Sequence, residues 1–292
     1  MTMTIWRTET LNMAIPKVAF QGARYAFSEM ASQKFFGKEI ECIPCKTFQT
    51  VFERVEKGDA DYGVVPVENS LTGSIHRNID LLLEHDIHII GEVHLRVAQH
   101  LIACPGVQMQ DIHMIYSHPQ ALEQCRSFLM SLKDVEPIAS YDTAGSVKMI
   151  RDKKMMDAAA IGSRWAARDY GMTILKEEVE DIPENYTRFN VLSLRDEPLK
   201  APTKTSVVFA MKSIPGALFK SLSVFALRDI DLVKIESRPL RGRPWEYIFY
   251  LDFVGSMQEE RSQNAIRHLK EITSMIRVLG SYPAANRNGN EQ

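Results

Sequence analysis

Tyr62-Gly-Val-Val-Pro-Val67 runs directly into Glu68-Asn69-Ser70, and the fold class turns on this stretch. Its first six residues carry no charge and read as a fully apolar strand. One turn residue at its carboxyl end would be ordinary; three polar side chains in succession exceed what a turn requires. The same grammar surrounds it. Upstream, Lys17-Val-Ala-Phe20 reads as a short strand ending at Gly22, followed by a helix from Ser28 to Phe36. Thr47 suits the N-cap of a second helix, with Phe48, Val51, Phe52 and Val55 on one face and Gly58 as its stop. Downstream, Ile75, Ile79, Leu82 and Leu83 recur at helical spacing. Strands alternating with helices predict a mostly parallel α/β sheet.

A second block repeats the pattern. Ile112 to Tyr116 reads as a strand, and Pro119 opens a helix at the position where its missing N–H costs nothing. Ile138 to Tyr141 is the next strand, with Asp142 or Thr143 capping the following helix; Ala158 to Ile161 is another, with Gly171 as a helix stop. The third block differs. Thr205–Met211 (strand), Pro215–Arg228 (helix), Leu232–Leu240 and Trp245–Val254 (paired strands across Arg241 to Pro244), Gln258–Thr273 (helix) and Ser274–Gly280 (strand) give β-α-β-β-α-β, the ferredoxin-like order. The charged, Pro-containing segment Arg195 to Thr203 serves as linker.

The 292 residues suit about two domains. With 35 Lys+Arg against 37 Asp+Glu the net charge is -2, so no overall field favours nucleic acid or an anionic membrane. No apolar run approaches the roughly 20 residues that span a bilayer. The four cysteines, Cys42, Cys45, Cys104 and Cys125, are expected as reduced thiols of a cytoplasmic protein. Cys42-Ile-Pro-Cys45 has redox or zinc spacing, but no second ligand pair matches it, and no metal is expected.

Ligands of open α/β sheets sit outside the carboxyl ends of the strands. Four segments occupy such ends: Gln21-Gly22 onward, Glu68 to Ser70, Ser117 to Gln120, and Asp142-Thr143. Capping alone accounts for Ser117, Asp142 and Thr143. A fifth stretch, Asn185-Tyr-Thr-Arg-Phe189, sets a hydroxyl beside a guanidinium. Arg clamps carboxylates through paired hydrogen bonds, and a Thr can donate to a group leaving as water. Half of an ordinary strand with one exposed Arg reads the same way.

Together Phe20-Gln-Gly-(x)4-Phe-Ser-Glu29, Val65-Pro-Val-Glu-Asn-Ser70, Ser117-His-Pro-Gln-Ala-Leu122, Asp142-Thr-Ala-Gly145 and Asn185-x-Thr-Arg-Phe189 resemble the prephenate dehydratases. The third block, with Gly216-Ala-Leu-(x)3-Leu222 and Glu236-Ser-Arg-Pro239, resembles the ACT domain that follows them. The resemblance runs from about Lys17 to Pro283, and its seven motifs occur in the family's order. It implies a two-lobed, periplasmic-binding-protein-like α/β catalytic region at 17–195, plus a ferredoxin-like ACT domain at 204–284. Lobe 1 would take about 17–100 and 182–195, and lobe 2 about 101–181. Residues 1–16 are expected as an extension, without a mutase segment before Lys17, and 285–292 as a tail. One departure stands out: the family has a second Gly where this chain has Tyr25.

The resemblance implies cofactor-free conversion of prephenate to phenylpyruvate with loss of carbon dioxide and water. Thr187 would donate to the departing hydroxyl, with Glu68 as candidate relay acid. Arg188 would clamp a carboxylate, Phe189 would pack the pocket wall, and Asn69, Ser70, Ser117, Gln120 and Thr143 would orient the substrate. L-Phenylalanine would bind at a subunit interface to Gly216, Ala217, Leu218, Glu236, Ser237 and Arg238. That implies a homodimer or homotetramer built through the ACT and catalytic domains. Arogenate dehydration, and a two-lobed amino-acid-sensing protein without chemistry, are the alternatives. No Gly-x-Gly-x-x-Gly follows a strand, which argues against a dehydrogenase.

Overall fold

The computed structural model describes residues 15–196, 204–211, 214–240 and 246–285. Lobe 1 begins with β1 (Lys17–Gln21), α1 (Phe27–Phe36), β2 (Glu41–Cys45), α2 (Phe48–Glu56) and β3 (Tyr62–Asn69). It continues with β4 (Gly73–Ser74), α3 (His76–Glu84) and β5 (His88–Arg96). β1 pairs in parallel with both β2 and β3, the arrangement that α1 and α2 permit as crossovers. Thr47 caps α2 by accepting the Thr50 N–H, and Val51, Phe52 and Val55 are buried as their spacing predicts.

Lobe 2 comprises β6 (His100–Ala103), β7 (Met114–Ser117), α4 (Pro119–Gln124), α5 (Arg126–Ser131) and β8 (Glu136–Ala139). It ends with α6 (Thr143–Asp152), β9 (Ala158–Gly162), α7 (Arg164–Asp169) and β10 (Thr173–Lys176). Its sheet order is β10-β6-β9-β7-β8. The chain then returns to lobe 1, where β11 (Tyr186–Ser193) runs antiparallel between β3 and β5. The polypeptide therefore crosses between lobes twice, after β5 and before β11.

The C-terminal unit is β12 (Lys204–Met211), α8 (Ala217–Ala226), β13 (Leu232–Pro239), β14 (Tyr247–Val254), α9 (Glu260–Ile272) and β15 (Thr273–Tyr282). Its antiparallel order β13-β14-β12-β15 is the ferredoxin-like one. Side chains alternate across the sheet. Val207, Phe209, Leu251 and Phe253 pack under α8 and α9, while Val208, Ala210, Tyr250 and Leu279 face lobe 1 and share a core with Phe52, Leu82, Ile89 and Leu192. The backbones meet closely where Gly280 lies on β5: a Cβ added there would collide with the Ile89 carbonyl oxygen.

Sequence pattern does not mark β2, β4, β5, β6 or β10, and it joins into one helix α4 and α5, which break at Cys125. It begins α8 too early, because Gly216 stands in the left-handed conformation at φ 75° as its N-cap. The expected extension and tail, much of the linker, and the turn at Arg241 to Pro244 lie outside the described residues.

Candidate active site

The ends of β3 and β11 build the site. Thr187 is registered with Asn69 and Arg188 with Glu68. Because alternate side chains take opposite faces, Thr187 and Asn69 point one way, Arg188 and Glu68 the other. Asn69 is 4% exposed and fully engaged. Its Oδ1 accepts the N–H groups of Leu71 (3.0 Å) and Thr72 (3.1 Å) and the Thr72 hydroxyl (3.3 Å). Those donors fix the amide orientation. Nδ2 must then face Asn185 Oδ1 (2.7 Å), Thr187 Oγ1 (3.0 Å) and the Tyr186 carbonyl (3.2 Å). Thr187 Oγ1 thus receives a hydrogen bond from Asn69, leaving its own proton available to a ligand.

Lobe 2 reaches the same cluster through one helix. Gln120 Nε2 donates to Thr72 Oγ1 at 3.0 Å, and Asn185 Nδ2 donates to Gln124 Oε1 at 3.1 Å. Pro119 stands at the first position of α4, and the His118 side chain accepts the Gln120 N–H. On the lobe 1 side, Ser70 Oγ donates to the Glu184 carbonyl and accepts the Tyr186 N–H, tying the β3 end to the returning crossover.

The loop after β1 is the other seam. Asp142 caps α6 through the Gly145 N–H and also accepts the Ala23 N–H at 3.2 Å. Ser163 Oγ donates to the Tyr25 carbonyl, and the Tyr170 hydroxyl donates to the Arg24 carbonyl. Tyr25 has φ 71°, so the position does demand the left-handed region and Tyr adopts it. That conformation costs roughly 1–2 kcal/mol for a residue with a Cβ. The Glu29 carboxylate, which accepts the Tyr25 N–H, and the edge-on Tyr170 ring at 4.9 Å hold it there.

Several side chains lie elsewhere than their expected roles require. Arg188 is gripped on the opposite face from Thr187 by Glu68 (2.8 Å), Asp252 (2.7 Å) and Glu92 (3.4 Å), so its fork is occupied before any substrate arrives. Burial works against the Arg188 charge, but Asp252 and the other acids outweigh it and raise its pKa. Glu68 faces away from Thr187 and holds Arg188 and Lys234. Burial would raise its pKa, yet Arg188 and Lys234 keep it below the ordinary value, which unsuits it as a relay acid. Phe189 is buried in the core beneath α1 rather than lining a pocket. The Ser117 hydroxyl donates to the Ile161 carbonyl at 2.7 Å between adjacent strands. Thr143 opens α6 immediately behind its Asp142 cap.

In the C-terminal unit, Gly216, Leu218 and Ser237 are exposed, with Ala217 half-buried. Glu236 and Arg238 turn instead toward lobe 1: Glu236 meets Ser74 and His76, and Arg238 meets Asp80 at 3.2 Å. Residues without an expected role are Thr72, Gln124 and Asn185. The Asn69–Thr72 spacing of an Asx turn, and Gln124 one helical turn after Gln120, are the signals that carry them. Cys42 and Cys45 lie on β2, where burial raises both thiols, Cys42 to about 11 with Glu29 adding to the effect. A surface depression of about 590 Å³ lies at Gly106, Asp111, Lys154 and Asp157 of lobe 2, none of them among these residues.

Fold and site together define a two-lobed α/β protein with a hydrogen-bonded Thr–Asn pair at the interlobe crossover and a ferredoxin-like domain behind it. Residues 18–197 match the family model described as prephenate dehydratase. The chain is 49% identical to arogenate dehydratase/prephenate dehydratase 2 of Arabidopsis thaliana over 91% of its own length and 72% of that protein. A prephenate dehydratase from Arthrobacter aurescens, solved in complex with L-Phe, superposes with TM-score 0.84 at 32% identity, covering 91% of this chain and 89% of that one. GqqA, described as a novel type of quorum quenching acylase, superposes with TM-score 0.82 at 32% identity, covering 91% and 97%. The chain belongs to the prephenate dehydratase family.

Proposed function

We propose that the protein dehydrates and decarboxylates prephenate to phenylpyruvate. The observation that carries this reading is the Asn69 Nδ2 to Thr187 Oγ1 hydrogen bond. The ring carboxylate leaves as carbon dioxide, its electron pair moves through the diene, and the C–O bond to the ring hydroxyl breaks. The departing hydroxide takes the Thr187 proton and becomes water. A bare Thr hydroxyl is a very weak acid; the Asn69 amide stabilises the charge that develops on Oγ1, which Thr187 then cancels by regaining a proton from solvent. Preorganised donors of this kind contribute on the order of 3 kcal/mol. Gln120, Thr72 and Gln124 keep lobe 2 in contact with the pair.

Arogenate is the second reading, supported by the name of the Arabidopsis relative, which gives arogenate beside prephenate. It carries an ammonium where prephenate carries a keto group. The description of the matching family model names prephenate, and this supports the keto substrate. Side-by-side kinetics with prephenate and arogenate test the choice: a kcat/KM higher for arogenate reverses it, and turnover of neither overturns both. The resemblance to GqqA calls for an acylase assay beside these kinetics.

L-Phenylalanine is the proposed feedback ligand, supported by the Arthrobacter aurescens complex and by exposed Gly216 and Leu218 at the start of α8. Exposed Phe219 and Leu227, with the outer edge of β13, which pairs with no strand among the described residues, suit assembly of copies as a dimer or tetramer. Dehydratase activity unaffected by millimolar phenylalanine would remove the regulatory part.

A further inference from the structure

The β3–β11 ladder that presents Thr187 is irregular close beside it, between Arg188 and Phe189. Thr187↔Asn69 and Arg188↔Glu68 are in register, but Phe189 pairs with Pro66, leaving Val67 as an extra residue on β3. Pro66 has no N–H to give the ladder. Bulges of this kind redirect side chains and loosen pairing locally. β5 and the Ser70 N–H to Tyr186 carbonyl bond hold the β11 backbone, but on the β3 side the irregularity leaves the Thr187–Asn69 separation to be set partly by side chains.

The side chains that do so belong partly to the other domain. Arg188 Nε and Nη2 clamp Glu68 Oε2 at 3.0 and 2.8 Å, bridging β11 to β3 directly at the irregularity. Arg188 Nη1 is held at 2.7 Å by Asp252 on β14, and Glu68 Oε1 at 3.2 Å by Lys234 on β13. Asp252 is itself fixed: Ser206 donates to its Oδ1 at 2.6 Å, and Lys204 lies 3.6 Å from its Oδ2. Asp252 and the Arg188 side chain are about one-tenth exposed, where ion pairs are weakly screened. The ferredoxin-like sheet thus grips both strands of the catalytic end, one residue from each member of the pair.

We propose that Asp252 and Lys234 are positioning residues for dehydration, acting through Arg188 and Glu68 to set the placement of Thr187 and Asn69. The role rests on the dehydratase reading above. It differs from interface cohesion, which the apolar surface between the domains supplies independently. Misplacing a reacting group by about an ångström reduces turnover up to a hundredfold without abolishing binding.

The test uses the full chain with Asp252→Asn, Lys234→Met and Lys234→Arg. Asp252→Asn keeps the shape and the Ser206 contact; the Lys234 pair changes a side chain at the sheet edge and guards against a folding failure of the first variant. Expected are a kcat reduced about tenfold in Asp252→Asn and about threefold or more in Lys234→Met, KM within about twofold, and near-wild-type kcat in Lys234→Arg. Circular dichroism and Tm accompany each variant. An active wild type with kcat within twofold in both Asp252→Asn and Lys234→Met overturns the inference alone. So does a loss in Lys234→Met that tracks Tm and is not restored in Lys234→Arg. A wild type that turns over none of the substrates overturns the dehydratase reading, and this inference falls with it.

Discussion

Asn69 donates its amide N–H to Thr187 Oγ1 at 3.0 Å while its own oxygen is filled by Leu71 and Thr72. The direction of that bond is fixed by the backbone, not by the pair, and it decides which way the Thr187 proton can go. With Oγ1 already accepting, the hydroxyl is left as a donor.

Asn69→Asp tests this directionality. The carboxylate still accepts from Leu71 and Thr72, so the fold survives, but its second oxygen accepts from Thr187 instead of donating to it. Turnover should fall at least about a hundredfold with modest change in Tm. A variant with wild-type kcat would show that the direction is irrelevant.

Thr187→Ala removes the donor and should lower kcat about a hundredfold or more with KM little changed, since the interaction strengthens only as the hydroxide departs. Thr187→Ser keeps the hydroxyl and should retain most of the activity. Equal losses in the two variants would point to packing rather than proton donation.

Sequence pattern carried the layers of the fold and the identity of the site strands, because apolar runs and capping residues are local signals. Thr47, Pro119 and Asp142 sit at helix starts where their chemistry places them. It could not carry the face that each side chain takes. Thr187-Arg188 reads as one functional unit in one dimension, whereas the pleat sends the two residues to opposite sides of the sheet. The partner that occupies Arg188, Asp252, is 64 residues away and belongs to another domain. β5 was missed for a related reason: its His88, Glu92 and His94 look like a surface segment until the ferredoxin-like sheet covers it, with Lys204 on Glu92. Glu236 and Arg238 follow the same rule, turning to lobe 1 while Ile235 and Ser237 remain exposed.

The ionic cluster gives a pH signature whose sign inverts on mutation. Burial disfavours the Asp252 and Glu68 charges, but Arg188 with Lys204 and Lys234 holds both carboxyls below their ordinary values of 3.8 and 4.5. The unfolded chain therefore binds more protons in acid. The stabilisation is complete above those ordinary values and is lost as pH falls through the depressed folded values. In Arg188→Met the carboxylates lose their strongest partner, so their charge is a burden that acid relieves. The urea midpoint of this variant should lie furthest below wild type at pH 7, and the gap should narrow by pH 4. A gap that stays constant or widens on acidification would sink this account of the cluster.

Gly280→Ala probes how closely the two domains are pressed together. On β15, Gly280 lies against the Ile89 backbone, and a methyl group there meets the carbonyl oxygen at a separation no side-chain motion can relieve, because backbone stands on both sides. β15 must shift outward or β5 must yield, and their Leu279 and Ile89 belong to the core shared with Leu192 and Val208. Overpacking of this kind costs typically 1–3 kcal/mol. In a chain of this size that lowers Tm by several degrees, at roughly 2–4 °C per kcal/mol. The same displacement would pull Asp252 from Arg188, so kcat should fall together with Tm, whereas Gly280 touches no substrate. Gly58→Ala is the comparison: its positive φ of 76° strains the added Cβ, yet that Cβ meets open space and not the backbone of a neighbouring strand. It should lower Tm slightly and leave kcat intact. Gly280→Ala with wild-type Tm and kcat would mean that the domains are not held at this distance in solution.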